Sequence, residues 1–185
     1  YGLAASQLAR FRQKQIPLTV CVDKVAASGG YMMACVAQKI LAAPFAILGS
    51  IGVVAPVPNF HKLLEKHGVE YEDMTAGKYK RTVSLLGPIT DEGRSKFREQ
   101  LDETHGLFKT YVHSMRPSLD VEAVATGEHW YGTRAVELGL VDALSTSDDY
   151  LLEKASAARV FEVECDRPRT MRDRAASLAR ALGIA

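Results

Sequence analysis

A serine in a turn of small residues is the strongest candidate for chemistry in this sequence. Ser28 lies between Ala27 and the pair Gly29-Gly30, a few residues after an apolar run from Ile16 to Val22. Neighbours without bulky side chains at a strand-to-helix junction leave room for a substrate carbonyl to approach. The pattern therefore indicates a nucleophile at Ser28, with the amide of Gly29 as an oxyanion-hole donor. A serine that only caps the following helix would give the same local pattern.

A serine hydroxyl needs a neighbouring base to act as a nucleophile. The histidines are His61, His67, His105, His113 and His129, and each is interpreted as a surface or packing residue. None has an evident aspartate partner, so a Ser-His-Asp triad has no supporting pattern. A lysine is the alternative, because a desolvated ammonium with a lowered pKa can accept the proton of a serine. Lys78 and Lys80 lie in a basic stretch from which one of them would have to point inward.

Short strands and helices must position these residues. Apolar spacing predicts strands at Leu18–Val22, Lys39–Ala43 and Val69–Met74, and helices at Tyr1–Gln15, Tyr31–Ala37 and His61–His67. A long helix is predicted to begin at Thr90 and to stop at Pro117. This alternation favours an α/β fold with helices packed on the faces of a sheet.

Composition is that of an ordinary globular protein. The chain has 185 residues, 47% of them hydrophobic, and a net charge of +1, which gives no general case for nucleic acid as a partner. Its three cysteines have no metal-ligand spacing, and no apolar run reaches the roughly 18–20 residues of a membrane-spanning helix. From Arg167 onward, arginines alternate with apolar residues. This predicts a basic amphipathic helix that would bind an anionic membrane surface, pack on another subunit or fray.

Four motifs in a fixed order resemble the signal peptide peptidase A family. They are Ala27–Tyr31, Gly49–Val53, Gly77–Lys80 and Gly132–Asp142. The stretches Met115–Asp120 and Ala125–Gly132 are similar in particular to a single-domain bacterial branch of that family. The resemblance covers about residues 1–150, and its specificity comes from the motifs together.

The resemblance implies a serine endopeptidase with a Ser-Lys dyad, without cofactor or metal. The fold it implies is an α/β fold of repeated β-β-α units, shared with Clp protease and the crotonases. Ser28 would be the nucleophile, Lys80 rather than Lys78 the general base, and the amide of Gly29 an oxyanion donor. Ser50, in the second motif, would orient the lysine ammonium.

The resemblance also implies substrates, partners and a location. The substrates would be membrane-associated polypeptides or remnant signal peptides, bound in extended form. Val53 and Val54 either line an apolar pocket for a substrate side chain or belong only to the core. The family implies a homo-oligomer at the bacterial inner membrane, with its catalytic domain on the periplasmic side.

The family carries a membrane anchor and an Asn-Ser-Pro-Gly-Gly segment upstream of the first helix of this chain. That segment supplies a second oxyanion donor. We therefore expect residues 1–160 to form the peptidase domain without its N-terminal part and anchor, and residues 161–185 to form the basic tail. One missing donor is expected to lower the rate by about 10²- to 10³-fold.

Two other functions stay open. An acyl-CoA hydratase or isomerase of the crotonase type would share the fold, but it acts on thioesters and does not need a Ser-Lys pair. A catalytically silent scaffold that binds membrane proteins is the second alternative. The presence of Ser28, Ser50 and Lys80 together argues against a silent scaffold.

Overall fold

The computed structural model describes residues 2–165 of the chain. The chain divides into two compact units, of which the first ends at Tyr150 and the second begins at Leu151. All candidate site residues lie in the first unit. The boundary expected at residue 160 stays a prediction, and the basic helix predicted from Arg167 onward lies outside the described residues.

Regular elements are short, with one exception. The helices are α1 (Gly2–Gln13), α2 (Gly29–Ala34), α3 (His61–Lys66), α4 (Asp91–Met115), α5 (Val121–Val124), α6 (Gly132–Glu137) and α7 (Ser147–Ala155). The strands are β1 (Thr19–Val22), β2 (Val25–Ala27), β3 (Lys39–Ala42), β4 (Ile47–Gly49), β5 (His129–Tyr131) and β6 (Ala143–Leu144). Within residues 2–165, no helix combines the length and apolar character needed to cross a membrane.

The strands form two three-stranded sheets within the described residues. In the first sheet β1, β3 and β6 are parallel, and in the second β2 and β4 are parallel while β5 is antiparallel to β4. Before α2, the chain forms β1 in the first sheet and β2 in the second. After α2, it forms β3 beside β1 and β4 beside β2. Parallel neighbours need such a crossover connection. The predicted α/β class with β-β-α units is confirmed.

Small and aliphatic side chains pack α2 closely against the sheets. Ala34 at the end of α2 and Ala37 shortly after it are buried in the same core cluster as Ile40 and Leu48. Tyr31 on α2 is fully buried, and its hydroxyl donates to the Leu140 carbonyl at 2.8 Å. Burial also raises the pKa of the Tyr31 hydroxyl, so the group stays neutral. This bond ties α2 to the segment that follows α6.

The long helix α4 was predicted correctly. Its N-cap is Thr90, whose Oγ1 accepts the Gly93 N–H at 3.0 Å. Its last helical residue, Met115, lies two positions before Pro117. Gly93 has a second role, because a Cβ at this position would collide with the Thr82 carbonyl oxygen. The lysine loop (residues 75–90) therefore packs closely on the first turn of α4.

A bidentate ion pair fastens the end of α4 to β3. Asp142 accepts hydrogen bonds from Arg116 Nη1 at 3.0 Å, from Arg116 Nη2 at 2.9 Å and from the Ile40 N–H at 2.6 Å. Partial burial raises the pKa of Asp142, but the hydrogen bonds from Arg116 and Ile40 outweigh it and hold the pKa below its ordinary value. The pair thus links the helix to the first sheet.

The strand predicted at Val69–Met74 is wrong. Val69 and Met74 are 51% and 87% exposed, and no strand pairs with residues 69–74 in the part of the chain that the structure describes. A segment becomes a strand only where a neighbouring strand satisfies its backbone hydrogen bonds. The helix predicted at Tyr31–Ala37 exists, but it begins at Gly29 and ends at Ala34.

Candidate active site

Ser28 occupies a strained backbone conformation between β2 and α2. Its φ is 52° and its ψ is −118°, and its side chain makes no capping hydrogen bond with the helix. Ser28 thus occupies the N-cap position of α2, but its hydroxyl does not do the capping that the alternative of a helix-cap serine requires. The conformation is held by the Ser28 N–H, which donates to the Gly49 carbonyl at 2.8 Å, and by the Ser28 carbonyl, which accepts from Met32 at 3.0 Å. Strain of this kind costs about 1–3 kcal/mol and is concentrated at functional sites.

Ser50 is strained in the same way, and it lies beside Ser28. Its φ is 50°. Ala27 is the register partner of Gly49 in the parallel pair of β2 and β4, so the next residues of both strands, Ser28 and Ser50, are neighbours. The Ser50 N–H donates to the Glu128 carbonyl at 2.6 Å. Ser28 and Ser50, 22 positions apart in the sequence, thus each follow the last residue of one of two paired strands and lie side by side.

Both serines line one cavity of about 630 Å³. The sequence candidates that meet there are Ser28, Gly29, Ser50, Val53 and Val54. The opposite wall comes from α4 and is mainly apolar, with Leu107, Phe108 and Tyr111. Gly29 is the first residue of α2, where a backbone N–H has no acceptor within its own helix. The arrangement offers a hydroxyl, a backbone donor and an apolar surface to one extended ligand.

Lys80 is the candidate that the structure does not bring to the cavity. It lies on the lysine loop, is exposed, and is not among the residues that line the cavity. The backbone N–H of Lys80 donates to the Gly77 carbonyl at 3.1 Å. Its side chain forms no hydrogen bond or ion pair with any residue from 2 to 165.

Lys78, by contrast, is engaged with α4. Its Nζ lies 2.6 Å from Glu92 Oε1, and Glu92 also accepts a hydrogen bond from the Tyr79 hydroxyl at 3.0 Å. The hydrogen bond with Glu92, followed by that with Tyr79, raises the pKa of Lys78. A lysine whose ammonium form is stabilised is a poor general base. This favours Lys80 over Lys78 for that role.

The histidines give no support to a Ser-His-Asp triad. None of the five lines the cavity that contains Ser28. His105 nevertheless contacts the residue after Ser50, because its Nε2 lies 3.1 Å from the Ile51 carbonyl oxygen. The sequence interpretation treated His105 as a surface or packing residue, and no local motif marks it. Within the described residues, no cluster of three or more histidine, cysteine, aspartate or glutamate side chains could hold a metal ion.

Comparison with known proteins identifies relatives of the chain. Residues 10–160 match Peptidase family S49. The "Probable protease SohB" of Haemophilus influenzae is 60% identical over 164 residues, which are 89% of this chain and 46% of that protein. The "Probable protease SohB" of Buchnera aphidicola subsp. Schlechtendalia chinensis is 60% identical over 154 residues, 83% of this chain and 50% of that protein. The chain thus spans about half the length of these curated relatives.

A solved structure shows a more distant likeness. It is a mutant of a membrane-bound stomatin-specific protease in complex with a substrate peptide, 15% identical to this chain. The TM-score is 0.48, and the match covers 96% of this chain and 76% of the other.

Proposed function

Because the chain belongs to peptidase family S49, we propose that it carries the catalytic residues of a serine endopeptidase, with Ser28 as nucleophile and Lys80 as general base. The resemblance predicted from the motifs is confirmed at the level of the family. The observation that carries the proposal is the backbone of Ser28. The Ser28 backbone is strained, and the Ser28 hydroxyl does not cap the helix. Ser28 lines the cavity beside Gly29, whose N–H has no acceptor within its helix.

In the proposed reaction, Ser28 Oγ attacks the carbonyl carbon of the scissile peptide bond while Lys80 Nζ takes its proton. The Gly29 N–H donates to the oxyanion that forms. The Ser50 hydroxyl accepts a hydrogen bond from the lysine amine and orients it. Lys80 then returns the proton to the leaving amine, and water hydrolyses the acyl-enzyme.

The proposal requires the lysine loop to move toward the cavity. A lysine acts as a general base near neutral pH only where desolvation lowers its pKa by about three units, equivalent to about 4 kcal/mol. Lys80 is exposed and without a side-chain partner among the described residues, so no ion pair has to break for it to move. A peptide lying against Leu107 and Phe108 would exclude water from the amine once the loop closes.

The apolar lining supports an apolar side chain next to the scissile bond. Val53, which is 38% exposed, and Val54, which is 88% exposed, are available to such a ligand and do not belong to the core. We propose that the substrates are membrane-associated polypeptides or remnant signal peptides. A homo-oligomer at the bacterial inner membrane, held by an anchor and with its catalytic domain in the periplasm, completes the proposal and comes from the family resemblance.

The test compares two lysines of one loop in the intact protein. A fluorophosphonate probe reports the reactivity of Ser28, and a fluorogenic peptide with apolar side chains reports hydrolysis. Ser28→Ala should abolish both signals, and Lys80→Ala should lower hydrolysis by about 10²- to 10⁴-fold, the usual share of a general base. The control Lys78→Ala should retain most of the activity, since Lys78 is engaged with Glu92.

Two results would refute this assignment. Lys80→Ala with the activity of the wild-type protein would end the Ser-Lys dyad. No labelling of Ser28 together with hydration of an enoyl-CoA thioester would replace the peptidase by a crotonase-type enzyme.

A further inference from the structure

We propose that His105 is a positioning residue of this site, which holds the Ser50 turn (residues 49–52) against α4. The inference rests on the proposed function, because it assigns His105 a role in the reactivity of Ser28. Its starting point is the contact between His105 Nε2 and the Ile51 carbonyl oxygen, at 3.1 Å. A carbonyl oxygen only accepts hydrogen bonds. His105 Nε2 therefore carries the proton and donates it to Ile51.

The Ser50 turn needs this external support. Gly49 and Ser50 both have positive φ, 93° and 50°, and non-glycine residues pay about 1–2 kcal/mol for that conformation. One side of the turn is held by the bond from the Ser50 N–H to the Glu128 carbonyl. The bond from His105 holds the next residue of the turn, Ile51, whose side chain is fully buried.

The turn transmits this support directly to the nucleophile. The Gly49 carbonyl, at its first residue, accepts the Ser28 N–H at 2.8 Å. The neighbours of His105 on α4, Thr104 and Leu107, line the cavity that contains Ser28. His105 thus connects the strained serine pair with the opposite wall of the cavity. Without its hydrogen bond, the Ser50 turn would keep the bond to Glu128 but lose its bond to α4, and the Gly49 carbonyl would hold Ser28 less rigidly.

The surroundings of His105 permit a conservative replacement. A pocket of about 200 Å³ lies beside the ring, bordered by Gly52, Asp102 and Thr126, and Gly52 also lines the cavity that contains Ser28. A glutamine at position 105 has a side-chain amide that can donate to the Ile51 carbonyl, and this pocket offers it space. A leucine at position 105 has a similar size but no donor.

The experiment compares His105→Leu with His105→Gln in the intact protein, with His113→Leu as a control on an exposed position of the same helix. The measurements are the rate of fluorophosphonate labelling of Ser28, kcat and KM for the apolar peptide, and hydrogen exchange of the backbone of residues 49–53. We expect His105→Leu to lower kcat and the labelling rate by about tenfold, the effect of one lost hydrogen bond, and to speed exchange in residues 49–53. KM should change by less than about twofold, because the substrate-binding wall is intact.

Rescue separates positioning from a general loss of stability. His105→Gln should recover kcat to within about threefold of wild type and restore slow exchange, while His113→Leu should leave both unchanged. Equal labelling rates for wild type and His105→Leu would overturn the inference. So would equally slow His105→Gln and His105→Leu variants. A wild-type protein that does not label at Ser28 would instead refute the proposed function, so the two failures are distinguishable.

Discussion

Gly49→Ala is the substitution whose consequence follows most directly from the geometry of the site. Gly49 has a φ of 93°, and a Cβ there would lie 2.8 Å from Trp130 Cε3, 2.9 Å from Trp130 Cζ3 and 3.2 Å from the Glu128 carbonyl oxygen. The left-handed conformation costs an alanine about 1–2 kcal/mol. Displacing a packed indole adds about 1–3 kcal/mol. We therefore expect the free energy of unfolding to fall by about 2–5 kcal/mol, a large part of the total for a typical domain.

Urea denaturation followed by far-UV circular dichroism measures this loss. The double-mutant cycle with Trp130→Leu separates its two parts, because the smaller side chain removes the clash but leaves the backbone strain. In the Trp130→Leu background, Gly49→Ala should cost only about 1–2 kcal/mol. Gly106→Ala is the matched control: a Cβ at Gly106, inside α4, meets nothing within 4 Å. It should raise stability by about 0.5–1 kcal/mol.

Two outcomes would contradict this reasoning. A loss below about 1 kcal/mol for Gly49→Ala would mean that the backbone at this position is not confined to the left-handed region. An equal loss in both backgrounds would mean that Trp130 does not oppose the added methyl group.

Two further substitutions test the bonds that hold α4 and α2 in place. Asp142→Asn should lower the free energy of unfolding by about 1–3 kcal/mol at neutral pH, since Arg116 is only 11% exposed and loses its charged partner. Because folding lowers the pKa of Asp142, its stabilisation is complete above the ordinary pKa of about 3.9 and is lost as the pH falls through the lower pKa of the folded state. Urea titrations from pH 7 to pH 2 should therefore show a shallower acid loss in the variant than in the wild type, and parallel curves would contradict the assignment. Tyr31→Phe should cost about 1–3 kcal/mol in the same assay, because the buried Leu140 carbonyl loses its donor; an unchanged midpoint would mean that water replaces the hydroxyl.

Local signals in the sequence were sufficient for several elements. Thr90 and Pro117 delimit α4 because capping and the absence of a proline N–H act within a few residues of the helix ends. The prediction of a strand at Val69–Met74 was wrong because the formation of a strand is not decided by local signals. A strand depends on a partner elsewhere in the chain, and periodicity within one segment does not reveal whether that partner exists.

In the candidate site, too, local signals predicted some features, while others depend on contacts between distant parts of the chain. The small residues around Ser28 indicated its turn, whereas Ser50 was assigned to the site by the family resemblance alone, and the register of β2 and β4 gives the physical reason why the two serines are neighbours. The contact of His105 with Ile51 spans 54 positions, so neither residue carries a local sign of the other. Lys80 lies on the exposed lysine loop away from the cavity, and no spacing of residues in the sequence fixes the position of that loop.

Ser28 and Ser50 have positive φ, a backbone conformation that suits glycine, so stability and the proposed catalysis favour different residues at these positions. Glycine at position 28 or 50 would release part of the local strain, because it lacks the Cβ that makes the left-handed region unfavourable. Selection for thermal tolerance alone would favour glycine at both positions and would delete both hydroxyls. Under the proposed function, a laboratory evolution of this protein toward higher melting temperature therefore has to screen peptide hydrolysis in every round.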